Sequence, residues 1–481
     1  MSRTHRVGGP SLSRRRFLII PAAGALAAIP AGRSLAAQPA TPSAPATGGT
    51  FLDAGMVHDV AVTFEQRDYD AMIETYATSG DKEWITATVA IDGATYPNVG
   101  MRLKGNSSLM GLRVVGEGES GQNVLAGGPG GPGVPRGPGG GVSADTPEGL
   151  PWLIRLDKYE NGQQHDGIAE LVIRANGSET SLNEAVALVL LGDAGLASQR
   201  AAFTAFGVNG GAKALRLAIE HPNDGWMAAH FSAEGLLYKS DASGDWTYRG
   251  DDPDAYKDEF DLEAGGTGDD EADMTPLIEF LDFVNNSDDG AFVAELPIWL
   301  DVDEFAVYLA MMDLVGNFDD IDGPGNNSYL YYAPNPDRFT VVPWDMNLAF
   351  GAIGNLGRVP SDGQPPEGLA PSTMPGPSGS GTPAATEGTP TGEKPFPSGG
   401  MRRVVGGLSN PLVERFTAVA DFAALVDATS TSLRADLYGS GAADAVLDRW
   451  VGVLERGAST LVDQDTITAE ADAIARFFTA A

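Results

Sequence analysis

The chain has 481 residues, 42% of them hydrophobic, and its 65 acidic side chains against 31 basic ones give a formal charge of −34. Such a surface repels nucleic acid and anionic membranes, and it suits divalent cations and basic polypeptides as partners. There is no cysteine, so disulfides, thiolate zinc sites, lipoprotein attachment and cysteine nucleophiles are excluded.

The N-terminus reads as a twin-arginine export signal over residues 1–37. A basic stretch, Ser13-Arg14-Arg15-Arg16-Phe17-Leu18, leads into an apolar run from Phe17 to Ala31, and Ser34-Leu35-Ala36-Ala37 offers small residues for cleavage. The apolar run is shorter than the ~20 residues that span a bilayer and contains Pro21 and Pro30. The expectation is a protein secreted or held at the cell surface or in the periplasm, with no transmembrane anchor after signal cleavage. Residues 38–50 follow as a flexible Pro/Ala/Thr linker.

The ordered body is expected to start near His58, where DVAVTF alternates as a strand does, with a short helix over Tyr69–Tyr76. Strands follow at Trp84–Ile91 and Val99–Lys104 around the turn Asp92-Gly93. Residues 109–150 are Gly/Pro-rich and read as a disordered insertion. The G-x-G-x-x-G spacing at Gly128, Gly130 and Gly133 is spurious, because prolines interrupt it and no helix follows.

Strands return at Pro151–Leu156 and Ala169–Arg174. A helix is predicted over Ser178–Asp193, capped by Ser178, from the helical spacing of Leu182, Ala185, Val186, Val189 and Leu190. Further strands are predicted at Ala201–Val208 and Leu236–Lys239, helices at Pro276–Asn285 and Val302–Val315, and strands at Ser328–Tyr332 and Phe339–Val342 around Asn335-Pro336-Asp337. Residues 352–405 form a second low-complexity tract. Residues 406–481 carry three or four helical patterns belonging to the same domain as the core at 51–351. The fold class is α+β, strands first and helices mostly after.

Hydrolase signatures are missing: the five histidines show no HExxH pattern, and no GxSxG elbow occurs. The acidic loop Gly316-Asn317-Phe318-Asp319-Asp320-Ile321-Asp322-Gly323 stands out, together with Asn326-Asn327 and, after a strand pair, Pro343-Trp344-Asp345-Met346-Asn347. A hairpin would carry Asn327 and Asp345 to one end and gather oxygen ligands suited to Mg²⁺ or Ca²⁺. An EF-hand is excluded, since counting back from Gly323 puts Phe318 at an acid position and Tyr329 at the twelfth. Phosphoryl transfer needs a cation held by a helix glutamate, then an aspartate, a metal-binding asparagine and a second aspartate. Lys104, Arg155 and Lys158, then Glu184, Asp319, Asn327 and Asp345 supply them in that order.

With these residues the chain resembles the CotH (spore-coat protein H) kinase family of atypical protein kinases. The resemblance rests on Val99-Gly-Met-Arg-Leu-Lys-Gly-Asn-Ser-Ser108, Ile154-Arg-Leu-Asp-Lys-Tyr-Glu-Asn-Gly162, Tyr238-Lys239, Asn317-Phe-Asp319, Gly323-Pro-Gly-Asn-Asn-Ser-Tyr-Leu-Tyr331 and Pro343-Trp-Asp-Met-Asn347. It implies a kinase-like fold with an N-terminal β-rich lobe and a C-terminal helical lobe, interrupted by the two Gly/Pro-rich insertions. It implies Asp319 as the catalytic-loop aspartate, with Asp322 as rival. Asn327, Asp345 and Asn347 would serve as metal-side residues, and Lys104, Arg155, Lys158 and Glu184 as nucleotide-side residues. The activity implied is transfer of the ATP γ-phosphate, with Mg²⁺ or in its place Mn²⁺ or Ca²⁺, to Ser/Thr of exported or surface proteins. The alternative is a catalytically inactive kinase-like protein used in binding or cell-surface assembly. Asn347 in place of a second acid and Arg155 in place of a lysine are departures from the family pattern.

Overall fold

A computed structural model describes residues 51–52, 54–112, 142–231, 234–268, 270–323, 326–351 and 410–480. The export signal, the 38–50 linker, the Gly128–Gly133 spacing and the tract at 352–405 lie outside the described residues. So do residues 113–141 of the expected insertion. Its two ends are ordered instead: short 3₁₀ turns form at Ser107–Leu112 and Pro147–Gly149, and Leu109 and Leu150 are fully buried. Tyr69 donates to the Ala144 carbonyl at 2.7 Å and Trp152 to that of Pro147 at 2.9 Å.

The chain opens with β1 (His58–Phe64), α1 (Gln66–Ser79), β2 (Ile85–Ile91), β3 (Ala94–Leu103), β4 (Trp152–Arg155) and β5 (Glu170–Ile173). Then come α2 (Leu182–Asp193), β6 (Ala201–Val208), β7 (Lys213–Glu220), α3 (Asp224–His230), β8 (Leu236–Ser240) and β9 (Phe260–Ala264). The second half holds α4 (Asp270–Asn286), α5 (Asp289–Trp299), α6 (Val302–Leu314), β10 (Ser328–Ala333) and β11 (Arg338–Pro343). Past residue 409 it holds α7 (Pro411–Ala418), α8 (Ala420–Leu433), α9 (Ala442–Gly457) and α10 (Gln464–Ala480).

Seven strands close a barrel in the order β1-β2-β3-β4-β5-β7-β6, in which β1 meets β6 in parallel and the other pairs are antiparallel. Side chains alternate across a strand, so β4 to β7 bury both faces. Trp152, Ile154, Leu171 and Ile173 fill the barrel, while Leu153, Val172, Phe203 and Leu217 face the main core outside it. That second face is why the Trp-Leu-Ile run of β4 reads as unbroken apolar sequence. It is also what docks α2, whose Leu182, Ala185, Val186 and Leu190 are fully buried in the same core. The second sheet has the order β11-β10-β8-β9. Among the described residues no helix is long and apolar enough to cross a membrane.

Several elements go beyond those predicted: β7, α3, β9 and α5. In β7, Leu215, Leu217 and Ile219 alternate with Arg216, which is buried and donates to the carbonyls of Gly149 and Arg174. α4 runs upstream of Pro276 to Asp270. α2 begins at Leu182 rather than Ser178, because Ser181 takes a left-handed conformation, φ +56°. Ser178 therefore does not cap the helix directly.

Candidate active site

Arg174 follows β5 directly, and its backbone N–H is held by the Leu217 carbonyl of β7 at 2.8 Å. The barrel thereby aims this side chain at α2. Its Nε lies 2.8 Å from Oε1 of Glu184 and donates to Oε2 at 3.1 Å, and its Nη2 donates to Oδ1 of Asp345. Arg174 is 8% exposed and Glu184 1%, and the guanidinium carbon stands 5.7 Å from the centre of the Trp344 ring. Burial works against the charge on Arg174, but the carboxylates of Asp345 and Glu184 outweigh it and raise its pKa. Burial pushes the Glu184 carboxyl upward, with Asp345 adding to the rise and Arg174 opposing it. Removing one partner of a buried pair leaves an uncompensated charge and costs about 3–5 kcal/mol.

The register of β10 and β11 sets Ser328 opposite Pro343, so Asn327 and Asp345 leave the hairpin at the same end. Asp345 adopts φ +60°, a left-handed conformation that costs a non-glycine residue about 1–2 kcal/mol. Asn327 donates from Nδ2 to the carbonyl of Asp319 and to its Oδ2, both at 3.0 Å. Asp320 is buried, takes the N–H of Asn327 on its carbonyl at 3.1 Å, and accepts from Asp322 N at 3.3 Å. Asp319 is thus the acid of this loop whose carboxylate meets Asn327. The two loops are stitched together. Phe350 N donates to Val315 O at 2.6 Å, and Asn317 Nδ2 lies 3.7 Å from the sulfur of Met346.

Two of the basic residues singled out in sequence, Arg155 and Lys158, pair with other groups. Arg155 is partly exposed and pairs with Asp157 at 2.9 Å and Glu170 at 3.4 Å. Lys158 lies with its ammonium 4.8 Å over the Trp84 ring. The cation that meets Glu184 is Arg174, one strand later, and the sequence signal for it was a basic residue ending a strand ten positions ahead of a helix glutamate. Asn347 contributes its backbone carbonyl, which accepts from Asn183 of α2 at 2.6 Å.

Lys104, at the end of β3, stands 2.9 Å from Nε2 of His221, whose Nδ1 meets Glu170 at 2.8 Å. Burial, followed by the Lys104 charge, lowers the pKa of His221. The Glu263 carboxylate also stands 3.3 Å from Nε2, so the ring lies between two carboxylates and an ammonium. Burial lowers Lys104 too. Lys239 of β8, which sequence reasoning placed only within a motif, lies 5.3 Å over the Tyr329 ring. Burial, then the charge of Lys104, lowers its pKa to about 8, against the pull of Asp345, Asp241 and Glu263. Lys239 and Arg174 are thus cations in the electrostatic neighbourhood of Asp345, and Lys104 neighbours Lys239.

Among the described residues no group of three acidic or histidine side chains forms a ready metal cluster. The donors at the loop ends are hard oxygens from Asp345, Asp319 and the Asn327 amide, whose Nδ2 is already spent on Asp319. Magnesium habitually binds one or two carboxylates and completes its shell with phosphates and water, and this set fits that habit.

A cation following a strand, a helix carboxylate and an aspartate after a hairpin thus meet in one ion-pair node of a mixed α and β chain. Residues 140–390, about half the chain, match the family model described as CotH kinase protein. The chain belongs to the CotH kinase family, and that membership carries a kinase-like function. No curated protein matches the sequence.

Proposed function

We propose that the protein is an exported protein kinase that transfers the γ-phosphate of ATP to Ser or Thr hydroxyls of exported or surface proteins. The observation that carries the reading is the bridge of Arg174 between Glu184 and Asp345. It supplies a phosphate-binding cation locked by a helix carboxylate beside an aspartate at the end of a strand, as phosphoryl transfer requires. Magnesium, when bound by Asp345 and Asn327, would neutralise charge on the transferred phosphate. Arg174, together with Lys239, on which the Asp345 charge also acts, binds and orients the nucleotide phosphates. Asp319, fixed by Asn327, orients the acceptor hydroxyl and takes its proton. The acidic surface suits basic acceptor segments. The export reading rests on the twin-arginine motif at Ser13–Leu18, a route that carries folded proteins, so nucleotide can be taken up before export.

A second reading is binding without transfer. It is favoured by Asn347, which stands where a second acid would add to the metal site and which uses its carbonyl to dock α2. Both readings share the nucleotide site, and thermal unfolding of the mature protein tests it. Mg²⁺ and ATP at about 100 times Kd add about 2.7 kcal/mol to stability, and Asp345→Asn removes that gain. A wild-type protein whose unfolding is unmoved by Mg²⁺ and ATP contradicts both.

A further inference from the structure

Two hydroxyls at the head of α2 donate to one carboxylate from the last helix. Ser178 Oγ donates to Glu470 Oε2 at 2.8 Å, and Thr180 Oγ1 donates to the same oxygen. The backbone N–H groups of Glu179 and Thr180 reach Glu470 Oε1 and Oε2 at 2.9 and 3.2 Å. Hydrogen bonds to an ionised acceptor are roughly twice as strong as neutral ones.

Each hydroxyl then passes the hold onward. Ser178 Oγ accepts from the N–H of Ser181 at 3.0 Å, and Thr180 Oγ1 accepts from the N–H of Leu182, the first residue of α2, at 3.1 Å. Ser181 occupies the cap position, yet its own side chain makes no capping bond and its buried hydroxyl finds no partner among the described residues. The first turn of α2 is therefore capped from α10, through two hydroxyls that a single carboxylate orients.

That turn carries the site. Glu184, which holds Arg174, lies two residues beyond Leu182. Asn183 between them donates to the Asn347 carbonyl at 2.6 Å and to that of Ala349 at 3.4 Å. About two turns further along, α10 sets Phe477 and Phe478 against Phe350, with ring centres 5.8 and 5.7 Å apart. One helix thus grips both segments that supply partners to Arg174, the head of α2 and the stretch after Asp345.

We infer that Glu470 is a positioning residue for the nucleotide site: its carboxylate fixes the first turn of α2 and, through it, the Glu184–Arg174–Asp345 bridge. The inference rests on the reading of that bridge as a nucleotide site. A cap of this kind contributes about 0.5–2 kcal/mol to a helix end, enough to let the turn open locally while the domain stays folded.

The test is amide hydrogen exchange on the full-length mature chain, with Mg²⁺–ATP titration and transfer kinetics alongside. Glu470→Gln and Thr180→Val each speed exchange at Glu179–Glu184 about tenfold and leave α9 as in wild type. Thr180→Ser, which keeps the relay, behaves as wild type, and formate added to Glu470→Ala restores the lost protection. Transfer by Glu470→Gln shows a kcat about tenfold lower with the acceptor KM unchanged. Unchanged exchange at 179–184 in both variants overturns the inference. So does protection lost equally across α9 and α10 that formate does not restore, or a kcat equal to wild type. Exchange decides whether Glu470 holds the turn and kcat whether that hold reaches the site, whereas a wild type that binds no nucleotide overturns only the site reading.

Discussion

The guanidinium of Arg174 donates to the carboxylate of Asp345, 171 residues further along the chain. One residue comes from the mouth of the barrel and the other from the turn after a hairpin of the second sheet, so their contact joins the two β-structures. Because Glu184 holds the other side of the same guanidinium, the placement of Asp345 and of α2 is a single coupled property.

Coupling of this kind is measurable. Arg174→Met leaves Glu184 buried without its cation and is expected to cost about 3–5 kcal/mol. Adding Glu184→Gln removes the stranded charge, so the double variant recovers about 2 kcal/mol of that loss. Urea denaturation of both single variants and the double variant checks this, and strict additivity would mean the pair is energetically independent.

If the node binds nucleotide as proposed, Lys239 is expected to set a pH limit on that affinity. Its folded pKa of about 8 lies below the usual 10.5, so the folded protein releases this proton before the unfolded chain does. Stability of the unliganded protein accordingly rises between pH 8 and 10.5. Nucleotide binding goes the other way, because the charged ammonium attracts phosphate and is lost above about pH 8. Titration of ATP from pH 7 to 9.5 should show affinity falling in wild type, with a flatter profile in Lys239→Met.

Asp319 and Asp322 separate on kinetics. Asp319 places its carboxylate on Asn327, whereas the Asp322 N–H belongs to the turn at Asp320. Asp319→Asn is expected to lower kcat by a factor of about 100 or more, the scale of a positioned acid–base group. Asp322→Asn should stay within about threefold, since it leaves that group in place. The reverse order would hand the role to Asp322.

Gly323 closes the acidic loop on itself. A Cβ there would sit 2.3 Å from the Phe318 carbonyl and 2.7 Å from both Asp319 Cα and Asp320 N, all backbone atoms. Gly323→Ala is therefore expected to cost about 1–3 kcal/mol as overpacking and to displace Asp319 from Asn327. Denaturation and transfer assays on one preparation check both effects.

Much of the architecture was legible because period-two alternation marks half-buried strands. Ala201–Val208 was bounded as observed, and the β10–β11 hairpin followed from the turn at Asn335–Asp337. β7 was not read, since its alternation runs through Arg216 and Glu220, charged residues that are buried against partners far away in sequence. The same limit hid the cation of the site. Arg155 ends β4 and Arg174 directly follows β5, and barrel closure with the docking of α2 decides which one faces Glu184. Glu470 gives no local signal at all, because its meaning lies 290 residues upstream at Thr180.

Transfer itself gives the most direct test. Mature wild-type protein, incubated with γ-labelled ATP, Mg²⁺ or Mn²⁺ and a basic Ser/Thr-containing protein, should label the acceptor, and Asp345→Ala under the same conditions should not. Equal labelling by wild type and Asp345→Ala, or none by either, would contradict the assignment of the Arg174–Glu184–Asp345 node to phosphoryl transfer.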